Sequence, residues 1–177
     1  LAAFYNNSDD ITFYLVCLRI SFLISVAVAI INSIYAPIYS KFYFLNDNKK
    51  LKYNYNKSRK ELILISFLVL IFVFAFSKQL LLIFNLTADF KNIFMLNLFC
   101  FSQFICVSTG TTGLFLNLTD NAKVLRNNTF ISLIFSFLIG VVLIKYFSIY
   151  GMLVAYCLGI ILENFLSLIS VNKCLKK

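Results

Sequence analysis

Apolar residues fall in five long runs separated by short polar stretches, at 11–39, 61–84, 92–116, 129–146 and 149–171. Each run reaches the roughly 17–25 residues that a membrane-spanning helix requires, and the first exceeds them, so each is predicted to be one transmembrane helix. At 1.5 Å per residue the first run extends about 43 Å, beyond a hydrocarbon core of roughly 30 Å, and should tilt or protrude. Pro37 near its end favours a bend or a stop, because proline lacks a backbone donor. Residues 40–60, SKFYFLNDNKKLKYNYNKSRK, are predicted as a basic connecting loop whose aromatic rings lie at headgroup level. Only a few residues separate Tyr146 from Tyr150, which predicts a tight helical hairpin from the last two runs.

Composition strengthens this reading. The 177 residues are 61% hydrophobic and 13% charged, with a mean hydropathy of +0.89, against roughly 45–50% apolar and 25% charged in soluble domains. The expectation is an all-α membrane protein, a single transmembrane domain over 1–177 with about five helices and little outside the bilayer. The opening LAAFYNNSDD has no Met and no secretory leader pattern, and reads as a fragment of a longer frame. Twelve of the sixteen Lys and Arg lie on one side of the predicted helices, against Lys78, Lys91 and Lys145 on the other. Cytoplasmic loops retain positive charge, so the 40–60 loop and the C-terminus are predicted to be cytoplasmic and the N-terminus outside. The same alternation accounts for the net charge of +9 without a nucleic-acid partner.

Little conventional catalytic chemistry is available. Histidine is absent, the five cysteines form no C-x-x-C pair, and no G-x-x-x-x-G-K-[ST] loop occurs. Neither a metal, a cofactor, a catalytic residue nor an enzymatic activity is expected. Two charges sit inside predicted spans, Arg19 in the first and Glu163 in the last. Such charges are costly, on the order of 2.5–3.5 kcal/mol on insertion scales, and usually face a cavity or a partner; snorkelling or structural pairing is the competing explanation. Their depths, about 12 Å and about 21 Å from the outer edge, allow a direct salt bridge only if the first helix is displaced along the membrane normal. In the third span, Gln103 and the run Ser108-Thr109-Gly110-Thr111-Thr112-Gly113 interrupt the apolar pattern. Close helix packing accounts for that cluster more simply than a substrate site does.

The stretch YLVCLRISFLISVAVAIINSIYAPIYSKFY resembles a span of bacterial polysaccharide and oligosaccharide flippases, with an L-R-I start, an N-S core and an A-P-x-x-S-x-x-Y exit. NDNKKLKYNYNKSRKELILISF is similar to that family's basic loop and following span, TGLFLNLTDNAKVLRNNTFISLIFSFLIGVVLI to its G-L-x-L-N-x-T-G-x-x-K segment, and IYGMLVAY to its Y-G turn. Asp120 and Ser148 stand where that pattern has glycine, Ser136 where asparagine is common, and Met152-Leu153 where it has paired alanines. The resemblance implies a member of the multidrug, oligosaccharidyl-lipid and polysaccharide exporter superfamily. The chain would be a partial C-terminal lobe, the last five spans of a two-lobe twelve-helix transporter that lacks its N-terminal lobe here. The implied activity is flipping a polyprenyl-pyrophosphate-linked oligosaccharide, such as an O-antigen or capsule unit, across the bacterial plasma membrane. Its partners would be that lipid-linked oligosaccharide and membrane lipids. Arg19 matches an arginine common in this helix and is expected to face the cavity and bind the pyrophosphate. Arg19, Asn32 of the N-S core and Gln103 are the candidate substrate contacts, and Glu163 the candidate ion-coupling residue. The alternatives are a cation-coupled multidrug exporter, a membrane-embedded glycan polymerase or ligase, and a non-functional gene fragment.

Overall fold

The computed structural model describes the backbone of residues 8–175 and the side chains of residues 11–175. The start of the chain, predicted to face outside, and Lys176 and Lys177 at the basic C-terminus lie outside the described residues. Five helices account for nearly all of the rest: α1 (Ser8–Phe44), α2 (Asn48–Ile83), α3 (Phe90–Ser108), α4 (Thr112–Leu118) and α5 (Ala122–Cys174). No strand occurs among the described residues. Four helical stretches, counting α3 and α4 together, are long and apolar enough to cross a membrane. The chain is a membrane-embedded all-α protein.

The burial pattern agrees with lipid as the solvent. Along α2 the buried positions are Leu51, Tyr55, Ser58, Leu62, Ser66, Leu70, Val73, Ser77 and Leu81, a stripe at intervals of three and four. Three of these are serines whose hydroxyls are satisfied by their own helix, as where Ser66 Oγ donates to the Leu62 carbonyl at 2.6 Å. The opposite face carries Leu64, Leu68, Ile71 and Phe72, each at least half exposed. An apolar face that is continuous along a helix of this length is stable only against hydrocarbon.

The expected loop at 40–60 is helical apart from a tight turn. α1 continues through Pro37 to Phe44, and α2 begins at Asn48 after Asn46 takes a left-handed φ of 52°. Leu51, Tyr55 and Ser58 extend the packing stripe of α2 into the basic stretch, so tertiary burial outweighs its polar composition. Asp47 caps α2, its Oδ1 accepting from the Lys50 backbone N–H at 3.0 Å and its Oδ2 pairing with Lys50 Nζ at 3.1 Å. The Lys50 backbone N–H, followed by its side chain, holds the Asp47 carboxyl below the ordinary carboxylate range.

α5 has 53 residues, about 80 Å if straight, but folds back on itself. Ser148 has φ 52° and ψ −135°, and the arms on either side, 122–147 and 149–174, run antiparallel. Ser136 Oγ donates to the Ala155 carbonyl at 3.0 Å, and Asn128 Nδ2 reaches Ser167 and Ser170 at 3.4 and 3.3 Å. Glycines bring the arms into backbone contact: a Cβ on Gly151 would collide with the Leu143 carbonyl group, and one on Gly159 would come within 2.6 Å of Ser136 Cβ. At Ser148 the backbone occupies a region that side chains rarely adopt, at a cost of about 1–3 kcal/mol. Ser148→Gly is therefore expected to raise unfolding stability by about 1 kcal/mol, read as a higher thermal midpoint in detergent. A lower midpoint would show that the serine side chain, not the backbone, sets the stability of this reversal.

α1 packs against α2 and α3, while α5 packs against α3 and α4. The shared core is lined by Cys17, Ile24, Tyr39, Leu62, Phe99 and Phe115. Two of the grooves that border α5 also reach α1.

Candidate functional site

The first groove, about 410 Å³, lies between α1, α3, α4 and the second arm of α5. Its floor is a break within the membrane-spanning stretch. The chain leaves α3 at Thr109, passes through Gly110 at φ 94° and resumes helix at Thr112. Helix ends leave carbonyls in need of donors that the helix itself does not supply. Two α2 side chains one turn apart do so: Arg59 Nε donates to the Ser108 carbonyl at 2.7 Å and Tyr55 Oη to the Thr109 carbonyl at 2.9 Å. The Arg59 Cβ and Cγ lie 3.2 Å from where a Gly110 Cβ would stand, so α2 presses directly on the break. Tyr39 Oη meets Ser58 Oγ at 2.6 Å and Thr111 Oγ1 at 2.8 Å, which ties α1, α2 and the break into one buried polar cluster.

Three amides from three elements line this groove: Asn32, Gln103 and Asn164. Gln103 Oε1 accepts from Ser25 Oγ at 3.4 Å, and the Gln103 side chain also hydrogen-bonds Tyr156. Asn164 Oδ1 accepts from Thr109 Oγ1 at 3.2 Å, and its Nδ2 donates to the Ile160 carbonyl at 3.0 Å. Asn32 differs, since its Oδ1 is buried and has no hydrogen-bond partner. Ser25, Thr111 and Thr112 add hydroxyl-bearing side chains to the wall.

The second groove, about 390 Å³, runs between the two arms of α5 and is closed on one side by Tyr14 of α1. It is mostly apolar and aromatic, with Phe137 and Tyr156 among its walls. Glu163 is its carboxylate, with Oε1 accepting from Thr129 Oγ1 at 2.7 Å. Ser132, 3% exposed, lines the same groove with an unpartnered Oγ. Ile160 belongs to both grooves.

The structure thus brings Asn32 and Gln103 together and places Glu163 next door. Arg19 lines neither groove. The buried stripe of α1 runs through Val16, Cys17, Ile20, Ile24, Ala27 and Ile31, which turns position 19 outward beside Leu15, Phe22 and Leu23, all exposed. Arg19 is therefore exposed on the outer surface of this bundle, and no Arg19–Glu163 bridge forms among the described residues. The ion pair found among the described residues joins Lys50 to Asp47.

Sequence reasoning passed over Tyr55, Arg59, Glu61 and Asn164. Arg59 counted only as an edge charge, and Glu61 marked only the start of a span. Yet Tyr35 Oη donates to Glu61 Oε2 at 2.9 Å, a pairing between α1 and α2. The available signal was the four-residue spacing of Tyr55 and Arg59, opposite a Ser-Thr-Gly-Thr-Thr-Gly run that interrupts a helix. Comparison of the chain with protein-family models, with curated proteins and with solved structures gives no match.

Proposed function

We propose that this chain is part of a flippase for polyprenyl-pyrophosphate-linked oligosaccharides in a bacterial plasma membrane, with its basic end in the cytoplasm. The observation that carries the reading is a groove lined by the amides of Asn32, Gln103 and Asn164 and by hydroxyls within a membrane-embedded bundle. A polar glycan crossing a low-dielectric core needs such a surface, because unpaired polar groups are expensive there. The register of the sequence resemblance adds support. Asp120 and Ser148, which stand where the flippase pattern has glycine, both take left-handed φ values, 55° and 52°, the conformation that favours glycine. Under this reading a second helical lobe, which the resemblance implies, faces the groove side, and rocking of the two lobes alternates access.

The test is transbilayer movement of substrate. The protein, expressed from its native gene and reconstituted into vesicles, should carry a fluorescent undecaprenyl-pyrophosphoryl-N-acetylglucosamine between leaflets, read by quenching from outside. Gln103→Leu should slow that movement about tenfold, roughly the 1.4 kcal/mol expected for one lost hydrogen bond to cargo. Movement no faster than in protein-free vesicles would refute the reading. One observation favours a second reading, a cation-coupled exporter: Glu163 sits in an apolar, aromatic groove suited to a lipophilic cation. In the same vesicles that reading requires proton- or sodium-dependent movement of tetraphenylphosphonium.

A further inference from the structure

We propose that the groove between the two arms of α5 is a site for a membrane lipid with a primary amine in its headgroup, one acyl chain lying along the arms and the ammonium donating to Glu163. The inference stands apart from the flippase reading, since it concerns a resident lipid and not a cargo.

The groove has one charged end. Glu163 Oε1 accepts from Thr129 Oγ1 at 2.7 Å, and Arg126 precedes Thr129 by one turn on the first arm. Asn164, beside Glu163, accepts from Thr109, whose neighbour Ser108 takes the Arg59 donor. Glu163 therefore stands at the basic end of the bundle, with the apolar length of both arms on its other side. From Thr129 the groove runs to Ile144, near the reversal at Ser148, about 22 Å at 1.5 Å per residue. One leaflet of hydrocarbon is about 15 Å deep, half of a core of roughly 30 Å, so the groove has the length for an acyl chain. Its rim is apolar and open, with Leu133 and Phe137 61% and 57% exposed, a surface that lipid tails match in polarity.

Charge selects the headgroup. Glu163 Oε2, unlike Ser132 Oγ in the same groove, is not enclosed, and among the described residues it has neither a hydrogen bond nor a cation. A carboxylate bordering hydrocarbon is costly without a countercharge. An anionic headgroup would add repulsion, and a quaternary ammonium brings charge without an N–H. A primary ammonium brings both charge and three donors. The phosphate of such a lipid also has a partner close by, since Arg126 is exposed and a guanidinium suits phosphate. A bare metal ion would find one carboxylate, as no cluster of three metal-ligating side chains occurs among the described residues.

The chain contains no tryptophan, so a single introduced one reports its own surroundings. Leu133→Trp places the reporter on the groove rim, and Phe72→Trp places it on the outer face of α2, where Phe72 is 53% exposed. Each protein is reconstituted into phosphatidylcholine vesicles containing increasing fractions of phosphatidylethanolamine, phosphatidylcholine or phosphatidylglycerol with brominated acyl chains. Quenching of the tryptophan then gives the relative affinity of each lipid at each reporter. At residue 133 phosphatidylethanolamine should bind at least threefold tighter than either other lipid, and at residue 72 all three should bind alike. Glu163→Leu, in the Leu133→Trp protein, should abolish the preference, while Thr129 Oγ1 keeps its bond to the Leu125 carbonyl. Glu163→Gln, which removes the charge alone, should reduce the preference and serves in place of the leucine variant if that one fails to fold. Equal quenching by the three lipids at residue 133, or an undiminished preference without the Glu163 carboxylate, overturns the inference. So does a reporter at residue 133 that no brominated lipid quenches, because the groove is then covered by protein, whether a second copy of the chain or a second lobe. None of these outcomes bears on movement of a pyrophosphate-linked cargo, which the vesicle assay of the flippase reading decides separately.

Discussion

Gly151→Ala is expected to destabilise the bundle by about 3 kcal/mol or more, at the upper end of what overpacking costs. The added Cβ meets the backbone carbonyl of Leu143 on the facing arm of α5, not a movable side-chain tip. Because a backbone group cannot rotate away, the two arms must separate. Helix propensity predicts the opposite sign, since alanine is favoured over glycine by about 1 kcal/mol in a helix interior. The direction of the effect therefore decides between local propensity and tertiary contact. Gly140→Ala is the matched control. Its Cβ would lie 3.6 Å from Ala155 Cβ, an ordinary van der Waals contact, so it should be nearly neutral or slightly stabilising. Unfolding midpoints of the two variants in one detergent provide the comparison. A Gly151→Ala protein as stable as the Gly140→Ala protein would mean that the arms are not held as close as described.

Arg59→Ala should cost about 1.5–3 kcal/mol, the range for a hydrogen bond from a charged donor to a buried acceptor. The Ser108 carbonyl that Arg59 Nε serves belongs to the last residue of α3, where the helix itself supplies no donor. Arg59→Lys should recover little. Lysine lacks a donor at the ε position of a planar fork and presents a point charge on a flexible stem. Tyr55→Phe removes the donor to the Thr109 carbonyl and should cost about 1 kcal/mol. Since both side chains hold the same break, the double variant should depart from additivity. Hydrogen exchange at residues 109–113 gives a readout besides global stability. Arg59→Ala should speed exchange there more than in α2 itself. Uniform acceleration along the chain would assign Arg59 to general packing and not to positioning the groove floor.

Membrane residence and helix content were legible in the sequence because both depend on local properties. Hydropathy averaged over a helix length is a one-dimensional quantity, and runs such as 61–84 and 149–171 exceed what a soluble fold can bury. The reversal between Tyr146 and Tyr150 was legible too, since a few residues between two long apolar runs leave room for little else. The boundaries of α2 were less so. Lysine, asparagine and tyrosine in 40–60 suggested a loop, although Leu51, Tyr55, Ser58 and Leu62 already carried the helical spacing that continues into the span.

Tertiary structure alone decided which polar residues meet. Ser25 and Gln103 are 78 positions apart and Thr109 and Asn164 are 55 apart, and no periodicity links them. It also decided that Arg19 points outward, because half a turn of helix separates the bundle-facing side from the outer surface while the sequence records only that it lies in a span. The break at 109–111 shows the division most clearly. The Ser-Thr-Gly-Thr-Thr-Gly run announced a weak point in a helix, since glycine and hydroxyl side chains compete with regular backbone bonding. That this weak point becomes the floor of a groove depends on Arg59 and Tyr55 arriving from another helix to satisfy the exposed carbonyls. Sequence by itself determined that the chain is a set of apolar helices, because apolar burial is summed along the chain. Only the packed bundle determined which polar residues share a groove, because hydrogen bonds are satisfied between elements, in three dimensions.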